Sequence, residues 1–185
     1  MKTIISKLTI IVLTVIIFTS CAVDMLNRVT GNKNVVTQER KINDDFTSIK
    51  VSKGLDLYIT QSNNVSLRVE ADENLHDIII TEIKNGVLKV YSEKNIWKAK
   101  ARKVYVSVKD LEELSATSGS DVYTENTLKM SNLNVTTTSG ADAKITVNAE
   151  NITTSSTSGS DIKIMGTAVN HTAKATSGSS INSFG

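Results

Sequence analysis

The chain has 185 residues, enough for one domain and a leader. Proline is absent, aromatics make up 4% and Ser, Thr, Asn and Val abound, which favours β-structure with hydrogen-bonded turns over a helical fold. The formal charge of +2 vanishes once Lys2 and Lys7 are assigned to the leader, since 19 basic residues then face 19 acidic ones. That balance excludes a nucleic-acid partner, and 22% charged residues exclude a disordered polyelectrolyte.

The leader, residues 1–21, reads "MKTIISKLTIIVLTVIIFTSC": a short basic start, an apolar run from Leu8 to Phe18, then small residues and a cysteine. This is the pattern of a secretory signal peptide, and its end resembles a bacterial lipobox, which makes Cys21 the expected lipidation site. Cys21 is the only cysteine, so neither an intrachain disulfide nor a thiolate metal cluster can form. Residues 22–40 lack hydrophobic periodicity and are expected to tether the membrane to a domain spanning 41–185.

From Phe46 onward "FTSIKV", "LDLYIT", "VSLRVE" and "VYVSVK" alternate apolar and polar residues with period two, as half-buried strands do. Asn85-Gly86 stands between two such runs and predicts a tight hairpin. "DENLHDI" is long enough for one helical turn only. "SEKNIWKAKARK" is basic around Trp97; it is expected to be a solvated hairpin loop held by one aromatic, with an anion- or polysaccharide-touching loop as the alternative.

The last third repeats itself. "TSGSD", "TSGAD", "TSGSD" and "TSGSS" place Gly119, Gly140, Gly159 and Gly178 at spacings of 21, 19 and 19, in the range of solenoid repeats. Aligned on these glycines, Leu133 and Ile152, Leu114 and Val135, and Val122, Ile162 and Ile181 fall into inward columns, with Glu112, Thr124 and His171 in the same series. Asn, Lys, Thr and Tyr fill the positions between. Each period from 112 to 185 then reads as strand, tight turn, strand and looser turn. Stacked rungs would bury one narrow core, with the glycine at a corner that requires positive φ or close backbone approach.

These features together resemble the putative auto-transporter adhesin, head GIN domain family, over roughly residues 40–185. The carriers are the lipid-type cysteine, the "FTSIKVSKGLDLYIT" and "NGVLKVYS" segments, and the turn series. The resemblance implies a right-handed parallel β-helix like that of pectin lyases, without a catalytic set, and an adhesive role at the bacterial envelope.

Three readings compete for the outward acidic column Asp121, Asp142 and Asp161. Stacked carboxylates could hydrolyse glycosides in pairs or hold calcium, but recurrence with the repeat favours structural turns, as for the four glycines. His76 and His171 lie far apart in sequence without an acidic partner at ligand spacing, and no cofactor or metal is expected. Sequons at Asn64, Asn134, Asn151 and Asn170 carry little weight beside a bacterial lipobox.

The reading is therefore an envelope-anchored, non-catalytic solenoid that touches the membrane through a lipid, with the outer membrane as the expected location and a glycan or protein as the expected ligand. Its alternatives are a periplasmic structural or sensory module that binds a neighbouring protein or cell-wall glycan, and, more remotely, a polysaccharide-active enzyme. The final rung, ending "SSINSFG", carries His171, Ala173 and Ala175 where earlier rungs are more apolar, and edge-to-edge self-association is the expectation there.

Overall fold

The computed structural model describes residues 28–185; the leader, Cys21 and the tether to residue 27 lie outside the described residues. Fifteen strands and one turn of 3-10 helix follow in chain order: β1 (Arg28–Thr30), β2 (Val35–Glu39), β3 (Ser48–Val51), β4 (Asp56–Gln61), β5 (Ser66–Asp72), the helical turn Glu73–Leu75, β6 (Ile79–Lys84), β7 (Val87–Ser92), β8 (Asn95–Lys98), β9 (Arg102–Val108), β10 (Glu113–Thr117), β11 (Asp121–Thr124), β12 (Leu128–Thr138), β13 (Asp142–Thr157), β14 (Asp161–Thr176) and β15 (Ser180–Phe184). Residues 28–40, expected as tether, thus form β1 and β2.

Period-two patterning sets the faces of the sheet. In β4, Leu57 and Ile59 are buried while Tyr58 and Thr60 point outward; in β9, Val104 and Val106 are buried between the outward Lys103, Tyr105 and Ser107. All these inward side chains join one hydrophobic core that runs the length of the sheet, from Val29 and Ile49 to Ile164 and Ile181.

The expectation of a right-handed parallel β-helix is not met. The protein is all-β, but its strands form a curled half-barrel sheet of mixed orientation. β2 pairs antiparallel with β5, β5 antiparallel with β9, and β6 antiparallel with β7. Nor are the rungs stacked in chain order: β3 lies between β7 and β10, and β4 between β9 and β11. The looser corner is a bend within a strand in the later rungs: β13 continues through it from Asp142 to Thr157, and its buried side chains switch from odd to even positions around Glu150. A coil wound once per period requires every neighbour to be parallel and sequential. Here the first half returns on itself through one hairpin and two long-range antiparallel pairings, so only the later strands follow that rule.

Within those later strands the columns stand in register. Leu133 lies beside Ile152 and Ile152 beside His171, and Asp121, Asp142, Asp161 and Ser180 are successive neighbours. Glu112 departs from its expected inward place: it is exposed, and Leu111 is buried instead. His171 is also exposed, its Nε2 2.9 Å from the Thr154 hydroxyl. The Asn85-Gly86 turn is a two-residue hairpin closed by Lys84 opposite Val87, with φ of 51° and 73° that match the twist of the flanking strands.

Candidate functional site: a turn ladder and a basic cleft

Each repeated corner is built from two consecutive residues of positive φ. Ser118, Ser139, Ser158 and Ser177 have φ between 56° and 58°, and Gly119, Gly140, Gly159 and Gly178 between 68° and 73°. A Cβ added at any of these four glycines would meet nothing within 4 Å, so the need for glycine is conformational rather than steric. The corners are also bonded to one another: the amides of Gly119, Gly140 and Gly159 donate to the carbonyls of Ser139, Ser158 and Ser177 at 3.1–3.2 Å.

A fifth corner belongs to the stack. Lys53 and Gly54 have φ of 61° and 72°, and the Gly54 amide donates to the Ser120 hydroxyl at 3.1 Å. Its sequence, "SKGLD", lacks the repeated letters, but it keeps the two-residue step from glycine to aspartate, and that spacing was the available signal.

The serine after the glycine, rather than the aspartate, closes the turn. The buried Ser160 hydroxyl accepts from the Thr157 amide at 3.1 Å and donates to the Thr157 carbonyl at 2.8 Å, and Ser179 does the same with Thr176. Asp142 and Asp161 instead serve the next rung. Asp142 Oδ1 accepts from the Asp161 amide, and Asp161 Oδ1 from the amide and hydroxyl of Ser180, at 2.6–3.1 Å. The amides of Asn132, Asn151 and Asn170 form a parallel side-chain ladder at 2.9 Å per step.

Asp56 heads the acidic column, beside Asp121 in register. Burial, then the neighbouring Asp56 and Asp142 carboxylates, push the Asp121 carboxyl above its usual range against the pull of Arg102. Asp56 is raised too, again mainly by burial, although Arg102 and Lys103 oppose it. The neighbouring outward column carries three stacked tyrosines, with Tyr58 4.9 Å from Tyr105 and 5.2 Å from Tyr123 between ring centroids. The Arg68 guanidinium lies 3.8 Å from the Tyr105 centroid, so these rings are covered by one another and by a cation. Among the described residues no group of three or more His, Cys, Asp and Glu could hold a metal ion.

At the Asp56 end of that acidic column lies a cleft of about 760 Å³. Its cations are Lys33, Lys98, Lys100, Arg102 and Lys103, against the single carboxylate of Asp56. The basic segment that forms it replaces the tight corner in its rung: β7 and β9 are joined through β8, which pairs with β1. Ile96, not Trp97, anchors the segment, being 6% exposed where Trp97 is 57% exposed. Trp97 lines the cleft, with the Arg28 guanidinium 4.3 Å from its ring centroid.

The cleft walls are pinned by Asp72, which is fully buried and accepts from the amides of Lys33, Lys100 and Ala101 at 2.9–3.2 Å. Burial alone would raise the Asp72 carboxyl; the Ala101, Lys33 and Lys100 amides and the Lys100 charge outweigh it and hold the pKa below its usual value. A Cβ at Gly31 would collide with this carboxylate, which is why the wall passes so close there. Sequence reasoning found the basic segment but not Asp72, whose role depends on two loops distant in the chain.

The family described as putative auto-transporter adhesin, head GIN domain, matches residues 45–185. A comparison with curated proteins finds no match. Among solved structures, a putative lipid binding protein from Parabacteroides distasonis ATCC 8503 is similar with a TM-score of 0.61 at 22% identity, over 76% of this chain and 70% of that one. A putative adhesin from Bacteroides fragilis NCTC 9343 gives a TM-score of 0.58 at 18% identity, over 84% and 99% of the two chains. A further putative adhesin, from Parabacteroides merdae ATCC 43184, gives 0.56 at 16% identity, over 85% and 99%.

Proposed function

Since the chain belongs to the putative auto-transporter adhesin, head GIN domain family, we propose that it is a non-catalytic binding module, anchored to the bacterial envelope through Cys21 and adhesive in role. The observation that carries this reading is the engagement of the acidic column. The recurring carboxylates of Asp142 and Asp161 bond the backbone of the next rung, so they hold a surface together instead of facing a substrate. What the rungs present outward is a fixed ladder of Thr, Lys and Asn, a rigid polar face that can be matched by a ligand with little ordering cost.

The test is protease shaving of intact cells, with and without permeabilisation of the outer membrane. Adhesion requires cleavage on intact cells. Protection until permeabilisation would replace it with a periplasmic module that binds a neighbouring protein or the cell-wall glycan. Cys21→Ser should abolish incorporation of labelled fatty acid, and unchanged labelling would sink the anchor.

A further inference from the structure

We propose that the basic cleft is a docking site for anionic lipid headgroups, by which the domain sits on the bilayer to which it is tethered; this rests on the reading of Cys21 as a lipid anchor. The argument is one of position and charge. The described chain begins at Arg28, whose guanidinium lies over Trp97 at the cleft. Six residues separate Cys21 from Arg28, so the seven steps between them span at most about 25 Å when fully extended. The end of the domain that bears the cleft is therefore the end held against the membrane.

Charge is distributed accordingly. A chain with nearly balanced charges collects Lys33, Lys98, Lys100, Arg102 and Lys103 around one opening, while its carboxylates run away from it along Asp56, Asp121, Asp142 and Asp161. Lys103 is engaged by Glu70 at 3.5 Å, whereas Lys33, Lys98 and Lys100 line the opening and form no salt bridge among the described residues. Headgroup phosphates suit such separate ammonium groups, and the attraction reaches only about one Debye length, which the short tether ensures.

Trp97 supports the same occupant. An exposed indole with a polar N–H is the side chain that settles at a membrane–water interface, and here it stands among lysines on a short strand. The site is built rather than floppy, because the buried Asp72 carboxylate fixes the backbone on both sides of it.

Trp97 is the only tryptophan, so its fluorescence reports on the cleft directly. The core lies between Val29 and Ile181, so the chain from residue 22 onward carries the whole fold and can be used without the anchor. It is titrated with vesicles of phosphatidylcholine and with vesicles in which phosphatidylglycerol replaces a third of it. The expected result is a blue shift of Trp97 with the anionic vesicles only, lost at high salt, and at least about tenfold weaker binding for Lys98→Glu combined with Lys100→Glu. Equal response to both vesicles, or unchanged binding by the double variant, overturns the proposal. So does binding of polygalacturonate without binding of anionic vesicles, which would assign the cleft to an acidic glycan. The fate of Cys21 is read separately, from the mass of the N-terminal peptide of the full chain, so a failed anchor and a failed cleft give different results.

Discussion

The two ends of the sheet hold themselves together by different means. From β10 onward, stacking is local and repeated: each corner bonds the next through one glycine amide, and the rungs up to the first half of β14 contribute similar sets of inward side chains. From β1 to β9, the chain doubles back through antiparallel pairings, two of them between strands distant in the chain, and relies on single residues that serve distant segments, Asp72 above all. A repeated region distributes its stability over many equivalent small contacts, whereas the first region concentrates it at a few positions. A single substitution should therefore cost most in the first half.

The largest effect is expected at the Asp72 pin. Asp72→Ala leaves three amides without their acceptor in a buried place and should cost about 3 kcal/mol, measured by urea unfolding. Gly31→Ala should damage the same contact from the other side, because its Cβ would meet the carboxylate. The sign of the pH dependence follows from the lowered pKa. Asp72 contributes stability that is complete above the unfolded carboxylate pKa and is lost as pH falls through the lower folded value. A wild-type advantage over Asp72→Ala that persisted at the acid end of that range would break the comparison.

Next come the corners. Gly140→Val and Gly159→Val should each cost roughly 1–3 kcal/mol, from strain at positive φ with open space around the side chain. Gly166→Ala, in the same region, should match or exceed them despite its smaller side chain. Gly166 has φ of 117°, and an added Cβ would run into the Val147 carbonyl. Thermal unfolding of the three variants decides whether the repeats share their load; if Gly140→Val unfolded the chain as completely as Asp72→Ala, they would not.

The smallest effect lies in the acidic column. A raised pKa means that the ionised Asp121 opposes folding above its folded value, and that the penalty is relieved as pH falls through that value toward the unfolded one. Asp121→Asn should then raise the Tm slightly at pH 7 and give no advantage once both forms of the wild type are protonated. Asp142→Asn should change little, since an amide oxygen can still accept from the Asp161 amide.

Local chemistry was legible because it is written in neighbouring letters. Period two set the faces of β4 and β9, Asn85-Gly86 set a hairpin, and the spacing of Gly119, Gly140, Gly159 and Gly178 set the register of rungs that stack without interruption. Strand direction was not written there. An alternating strand buries the same side chains whether its neighbour runs parallel or antiparallel, so nothing in "VSLRVE" distinguishes β5 in this mixed sheet from a rung of a parallel coil. The cleft was half visible for the same reason. The lysines around Trp97 lie close together in the chain, but their meeting with Lys33, and the buried carboxylate of Asp72 that fixes both loops, exist only once β1 has paired with β8 and β2 with β5. Sequence determined what each segment buries and where it turns; long-range pairing decided which segments meet, because hydrogen bonding between strands is indifferent to the letters that separate them.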